Sequence, residues 1–286
     1  MTVTRFAAAK INLHLHVGLP LADGRHPLDS LVVFAADAGD TVVATDADDL
    51  SLRVTGPFVT GLGAGEDNLV MRAARLLAEH AGVAPRATLH LEKNLPIASG
   101  IGGGSADAAA ALHALDALWR IRAGVVELAE LSARLGADLP VCVHGRTAMM
   151  RATGEDTVPV AFPALHAVLV NPGVEAATGA VYRMFDTMKL GAGFQPAGAP
   201  PADPAAARDW LAQQRNDLEA PAREVAPLIG ETLAVLRTHA PVALVRMSGS
   251  GATCFAVVDD AASADAIARD LAAARPGWWV RATALG

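Results

Sequence analysis

Cysteine is scarce in this chain: two in 286 residues, Cys142 and Cys254, far apart and each inside an apolar stretch. Buried free thiols are expected, and neither a disulfide framework nor a cysteine metal site. Aromatics are also thin, 4% of residues with Tyr182 the lone tyrosine, so stacking on a ligand has few candidates. Basic residues are outnumbered, 23 Lys and Arg against 30 Asp and Glu, for a net charge of −7. Without a basic stripe a nucleic-acid polymer is not an expected partner, whereas a small anion held by backbone amides is compatible with that charge. No apolar run approaches a membrane span, and Met1 to Ala9 is too short and polar for a signal peptide. No membrane partner is expected, and the expected location is the cytoplasm. The length suits about two domains, each with its own core.

What the chain does have is glycine in one place. Leu95 to Ala109 reads Leu-Pro-Ile-Ala-Ser-Gly-Ile-Gly-Gly-Gly-Ser-Ala-Asp-Ala-Ala, with a strand-like run before it and an alanine-rich helical run after. Glycine admits positive φ and close backbone approach, and the first amides of the following helix point at whatever anion sits there. The stretch therefore reads as a phosphate cradle. A P-loop would end in Gly-Lys-Ser/Thr, but Gly104 runs into Ser105 and Ala106; a dinucleotide fingerprint from Gly100 and Gly102 would need glycine at 105. Ser105 reads as the N-cap of a helix from Ala106 to Trp119, or as a ligand to a nucleotide-bound cation.

Elsewhere the pattern is mixed. Residues 3 to 17 alternate as a strand with one polar face carrying Lys10, Asn12, His14 and His16. Strands are expected at 31–36, 41–45, 50–55, 87–91, 141–143, 147–151, 167–171, 243–247, 254–258 and 279–282. Helices are expected at 68–81, 126–135, 179–188, 206–214, 221–240 and 261–275. Gly191 to Ala207, rich in Gly, Ala and Pro, reads as a flexible surface excursion. The mixture of Gly, charge and Pro at 153–159 places a domain boundary near residue 155.

Two further spots could carry chemistry. Asp138, between a helix stop and an apolar run, either shapes a turn or accepts a proton from an attacking hydroxyl; Lys10 would then tune that carboxylate and neutralise charge. Ser248-Gly249-Ser250-Gly251, between two strand-like runs, is either a hairpin or a second wall of free amides and hydroxyls that faces the cradle across a triphosphate and its acceptor.

In this order these stretches resemble the three motifs of the GHMP small-molecule kinases, named after galactokinase, homoserine kinase, mevalonate kinase and phosphomevalonate kinase. Nearly the whole chain takes part. The likeness is carried by Ala8-Ala9-Lys10-Ile11-Asn12-Leu13, Asp23-Gly24-Arg25-His26, Glu66-Asp67-Asn68-Leu69 and the run from Leu95-Pro96 into the cradle. Leu135 to Pro140, Asn171-Pro172-Gly173, Asn216-Asp217-Leu218 and the Ser-Gly-Ser-Gly loop complete it. The resemblance implies an α+β, two-domain GHMP kinase fold, with residues 1–155 ribosomal-protein-S5-domain-2-like and ATP-binding. Residues 156–286 would be a ferredoxin-like α/β domain contributing to substrate binding, the active site lying in the cleft between the two. It also implies ATP with Mg²⁺, and is nearest the member that phosphorylates the 2-hydroxyl of a cytidine-diphosphate methylerythritol in the non-mevalonate isoprenoid route.

Carried over by position, the resemblance makes Lys10 and Asp138 catalytic. The ATP phosphates would lie on Pro96, Ala98, Ser99, Gly100, Ile101, Gly102, Gly103, Gly104 and Ser105, with Asn68 and Lys93 near the nucleoside and Ser105 the candidate metal ligand. Asn12 would meet the acceptor's polyol, His26 the cytosine edge, and Arg25 and Tyr182 its two faces. Ser248, Gly249, Ser250 and Gly251 would complete the acceptor site. Arg25 stands where relatives usually have tyrosine, and a guanidinium plane can also stack on a base. Ser105-Ala106 stands where two serines are common. A monomer or weak homodimer is expected. A sibling kinase for another small alcohol, and a nucleotide-binding module without transfer activity, are the alternatives.

Overall fold

The computed structural model describes residues 1–239 and 242–286. The chain begins with strands β1 (Thr2–Asn12), β2 (His16–Val17), β3 (Leu28–Thr45) and β4 (Leu50–Thr55), helix α1 (Leu69–Ala81) and strand β5 (Ala87–Glu92). Helices α2 (Gly103–Trp119), α3 (Val125–Ser132) and α4 (Leu139–His144) come next, then strands β6 (Ala148–Arg151), β7 (Asp156–Pro159) and β8 (Leu165–Asn171). Helices α5 (Thr178–Thr187), α6 (Pro204–Ala212), α7 (Glu219–Val225) and α8 (Leu228–Thr238) lead to strands β9 (Val242–Met247) and β10 (Cys254–Val258), helix α9 (Ala261–Ala274) and strand β11 (Trp279–Leu285). Two compact units result, and the chain visits them alternately. The first comprises Met1–Ala9, Ala38–Ile97 and Gly102–Gly145; the second comprises Lys10–Asp37, Ala98–Ile101 and Arg146–Gly286.

In the first unit β5 pairs in parallel with β4 and antiparallel with the second half of β3, Thr41 opposite Glu92. The apolar stripe of α1 buries Val70, Met71, Ala73, Ala74 and Leu77; Asn68 caps its start and Gly82, at φ 64°, stops it. Helix α1 packs on α2, whose run from Ala108 to Ala111 is buried. Side chains this small let α2 settle closely against its neighbours, which fixes where its N-terminus emerges.

In the second unit β8 lies between β10 and β11, all antiparallel, and β9 extends the sheet beyond β10. Strand β11 reaches β3 at Leu285 opposite Ala35. The core holds Val168 and Val170 of β8, Cys254, Ala256 and Val258 of β10, and Phe185, Ile229 and Leu233 from the helices, the period of two that a strand with one face on the core requires. Both cysteines are free and buried, and burial pushes the Cys254 thiol up, away from the reactive thiolate. Among the described residues no helix is long and apolar enough to cross a membrane.

Five sequence expectations are corrected here. The strand read over 3–17 ends at Asn12, and β2 is a separate short strand. The two strands read at 31–36 and 41–45 are one, because Gly39 is a point of close approach and not a turn: a Cβ there would lie 2.4 Å from the Phe6 ring. Residues 141–143 lie in helix α4, closed by Gly145 at φ 57°; three apolar residues carry no period that separates helix from strand. The helix read over 221–240 breaks at Pro227 into α7 and α8, since proline lacks the N–H a continuing helix needs; its expected last residue, Ala240, lies outside the described residues. Finally, Gly191–Ala207 is tied down, with the Gln195 carbonyl accepting from His16 Nδ1 at 3.0 Å and the Ala197 N–H donating to Asp29 at 2.9 Å.

Candidate functional site

The cradle is built where β5 gives way to α2. Ala98, Gly100 and Gly102 all take positive φ, at 49°, 73° and 62°, a conformation that costs an alanine about 1–2 kcal/mol and is kept where the surroundings impose it. Gly102 is the residue that caps α2, through its backbone alone. Ser105, expected at that position, is instead the third helical residue. Gly102 turns the chain at a left-handed φ that serine adopts poorly, and the helix starts directly after it. The first turn of a helix leaves its amides without intrahelical acceptors, and here those amides belong to Gly103, Gly104 and Ser105.

Beneath the cradle lies a buried ion triad. Lys93 Nζ donates to Asp107 at 2.9 Å and also to Asp40, while the other Asp40 oxygen accepts the Asn94 and Leu95 N–H groups. A Cβ on Gly103 would stand 3.0 Å from Lys93 Nζ, so the cradle backbone rests directly on the ammonium. Burial alone would lower the pKa of Lys93, but Asp107 and Asp40 outweigh it and raise it. The resemblance puts Lys93 near the nucleoside; its amine is committed to two carboxylates inside the unit. Asn68, read in the same role, caps α1 by accepting from the Val70 N–H at 2.9 Å and donates to the Gly63 carbonyl at 2.8 Å. Asp40 was missed, because a lone acid in an apolar strand announces nothing until its partner 53 positions away is known.

Two carboxylates share one ammonium there, and Asp107 is pushed up to about 8, first by burial and then by Asp40, against the pull of Lys93. A carboxyl raised in the folded state holds a proton that the unfolded chain, near 3.8, has released. Its contribution to stability is full below about pH 4 and falls as pH rises toward 8. Asp107→Asn stays neutral throughout, so its stability relative to the parent is expected to rise between pH 4 and pH 8 in urea melts. A gap that is constant over that range would mean Asp107 is ionised across it.

In the second unit the Ser-Gly loop is joined to the cradle. Thr253 N–H donates to the Ser99 carbonyl at 3.0 Å, Ser248 Oγ donates to the Gly100 carbonyl at 3.0 Å, and the Asn12 N–H donates to Ser248 Oγ at 3.1 Å. A Cβ on Gly100 would lie 2.5 Å from the Ser248 carbonyl oxygen and one on Gly249 2.6 Å from the Gly100 carbonyl oxygen. The expected two walls with a ligand gap between them are therefore in direct backbone contact at this point, each glycine admitting the other strand of the chain. Asn216 Nδ2 fastens the loop from behind, donating to the Met247 and Gly249 carbonyls at 2.8 Å. Ser250 shares a hydrogen bond with Thr178 at 3.0 Å, and Gly251 is left-handed at φ 87°. Asn12 is buried, its side chain donating to Ser30 Oγ at 2.8 Å. Lys10 is also buried, its N–H on the Ile101 carbonyl at 2.9 Å.

His26 and Tyr182, far apart in the sequence, do meet: their ring centroids are 5.1 Å apart and tilted by 39°. Phe185, one turn along α5, closes edge-on at 5.6 Å. His26 Nδ1 donates to the Gly18 carbonyl at 2.9 Å, and Nε2 faces Asp186 at 3.4 Å. Arg25 is exposed, its guanidinium held by Asp23 at 2.8 Å and Thr153 at 2.6 Å. Asp138 is half-buried at the N-terminus of α4 in the first unit and makes no capping bond to that helix.

Comparison with known proteins adds to this geometry. The family model described as GHMP kinases N terminal domain matches residues 68–146, and the one described as GHMP kinases C terminal matches residues 202–276. A 4-diphosphocytidyl-2-C-methyl-D-erythritol kinase of Parvibaculum lavamentivorans is 50% identical over 99% of this chain and 98% of its own. A crystal structure of 4-(cytidine 5'-diphospho)-2C-methyl-D-erythritol kinase superposes with a TM-score of 0.78 at 34% identity, covering 99% of both chains. The fold is shared more widely: L. major mevalonate kinase reaches a TM-score of 0.74 at 16% identity over 99% of this chain and 95% of that one. With both family models seated in order along it and a relative of half-identical sequence matching it throughout, the chain belongs to the GHMP kinases.

Proposed function

We propose that this kinase transfers the γ-phosphoryl group of ATP to the 2-hydroxyl of 4-diphosphocytidyl-2-C-methyl-D-erythritol, giving the 2-phosphate and ADP. The observation that carries the reading is the state of His26. A carbonyl only accepts, so its bond to Gly18 places a ring proton on Nδ1; with that one ring proton Nε2 is the acceptor, beside the Asp186 carboxylate 3.4 Å away. Cytosine presents an amino donor on its edge where uracil presents an oxygen. Tyr182 and Arg25 are the candidates for the faces of that base.

Phosphoryl transfer asks for alignment and charge neutralisation more than for covalent chemistry. The cradle from Pro96 to Ser105 holds the phosphates through its amides and the dipole of α2, and Lys93 sets the height of that cradle through Gly103. Asn68 stands at the nucleoside end. Asp138 takes the proton of the acceptor hydroxyl as its oxygen bonds to the γ-phosphorus and the bond to the bridging oxygen breaks, releasing ADP. Lys10 neutralises charge, Asn12 and the Ser248–Gly251 loop position the polyol, and Mg²⁺, for which Ser105 offers a hydroxyl, neutralises the phosphate charge when bound. In this reading residues 1–155 bind nucleotide and 156–286 bind acceptor, in a cytoplasmic monomer or weak homodimer.

A coupled ADP assay tests the reaction. Release is expected with the cytidine-diphosphate acceptor and not with mevalonate or homoserine; turnover of either of those instead would assign a sibling activity. Cytidine diphosphate is also expected to raise the melting temperature, by about 2.7 kcal/mol of stability at a hundredfold excess over its Kd.

A further inference from the structure

The acceptor reading leaves one question about His26, namely what keeps its proton on Nδ1. The Gly18 carbonyl does so directly, and Gly18 is enclosed. A Cβ on Gly18 would lie 2.7 Å from Pro27 Cγ and 3.2 Å from the Phe194 ring. Gly191, at φ +96°, lies on the peptide that carries the carbonyl: a Cβ there would stand 2.8 Å from Gly18 C and 3.0 Å from Gly18 O. The turn that presents both residues is closed by the Phe194 N–H on the Gly191 carbonyl at 3.1 Å.

That turn is anchored on buried polar groups. Besides the Gln195 and Ala197 bonds to His16 and Asp29, Trp210 Nε1 donates to the Ala197 carbonyl at 3.3 Å. Asp29 also accepts from His14 Nε2 at 3.0 Å and Arg151 Nε at 3.1 Å. Burial would raise its pKa, but these hydrogen bonds outweigh burial and hold it below the usual carboxylate value, so the Ala197 bond is charge-assisted. His14, His16 and Asp29 are close enough together to suggest a cation site. The hydrogen bonds point elsewhere. The Leu31 N–H on His14 Nδ1 leaves Nε2 a donor, and both Asp29 oxygens already accept N–H groups. The cluster is an anchor for the segment that follows α5.

We propose that Gly191 and Phe194 are positioning residues for nucleobase selection: the segment Gly191–Ala197 clamps the Gly18 peptide, whose carbonyl sets the tautomer with which His26 reads cytosine. The proposal rests on the cytidine reading of the site. Without the clamp the Gly18 peptide can tilt, His26 can carry its proton on Nε2, and a donor there suits the uracil oxygen as well as an acceptor suits the cytosine amine.

The test compares cytidine diphosphate and uridine diphosphate as ligands by titration calorimetry on the full-length protein, with ATP as a second ligand. Phe194→Ala is expected to weaken cytidine diphosphate about tenfold, roughly one decade of Kd, and to narrow its preference over uridine diphosphate, with ATP affinity unchanged. Phe194→Leu, which refills the space over Gly18, is expected to restore most of the preference. Equal weakening of all three ligands, or an unchanged preference in Phe194→Ala while His26→Ala loses it, would overturn the clamp. If His26→Ala itself keeps the preference, the cytidine reading of His26 fails, and the clamp fails with it.

Discussion

Gly100→Ala is expected to be the most damaging single substitution in stability. Its φ of +73° already costs an alanine about 1–2 kcal/mol. The new Cβ would also meet backbone, the Ser248 oxygen at 2.5 Å and the Gly251 nitrogen at 2.7 Å, and backbone in a joined pair of loops cannot swing aside. Overpacking of this kind adds about 1–3 kcal/mol, for a total of about 2–5 kcal/mol. Against a whole-domain stability of about 5–15 kcal/mol that is a large share, and a fall of roughly 10 °C in melting temperature is expected. Gly24→Ala is the matched control, because its φ is +81° with nothing within 4 Å of a Cβ. The difference between the two variants isolates the contact from the backbone penalty. Equal melting temperatures would mean that the two loops part without cost.

The largest effect on turnover is expected at Asp138. Asp138→Ala should lower kcat about 10²–10⁴-fold, the usual contribution of a positioned general base, with the KM for ATP unchanged because the carboxylate serves the acceptor. The melting temperature of each variant, measured beside its kinetics, separates a loss of fold from a loss of chemistry. Asp138→Asn, which keeps shape and removes basicity, should lose nearly as much. If kcat survives in Asp138→Asn and falls only in Asp138→Ala, the carboxylate acts by packing or orientation and some other group takes the proton. If ATP binding falls in step with kcat, the residue belongs to the nucleotide side.

The parts of this molecule that were legible in its sequence are those whose physics is local. Three glycines before an alanine-rich run announce a helix N-terminus with accessible amides, and Asn68 and Gly82 bracket α1 by cap chemistry that needs no tertiary partner. Resemblance joins His26 and Tyr182, since nothing in the 155 positions between them would bring them together otherwise; the ring contact then stands as an independent observation. What escaped is tertiary. The Lys93, Asp40 and Asp107 triad depends on a lysine and an acid brought together by the pairing of β3 with β5. The short helix α4 takes its shape from packing on α2 and α3, not from a run of three apolar residues. Composition made Gly191–Ala207 look free, yet its backbone is secured by His16 and Asp29, residues with no mark of that role in their own neighbourhood.

The pairing of β11 with β3 bears on how the polypeptide is made. Leu285 sits opposite Ala35, and Thr283 bonds Asp37 across 246 positions. During translation Leu31 and Val32 of β3 gain partners once β6 emerges, whereas buried Phe34 and Ala35 wait for Leu285 and Gly286 and carry an open hydrogen-bonding edge past the ribosome exit. Such an edge is a template for mispairing with another nascent chain. Slow synthesis of the later helices, or crowding of neighbouring ribosomes on one message, should lower the soluble yield.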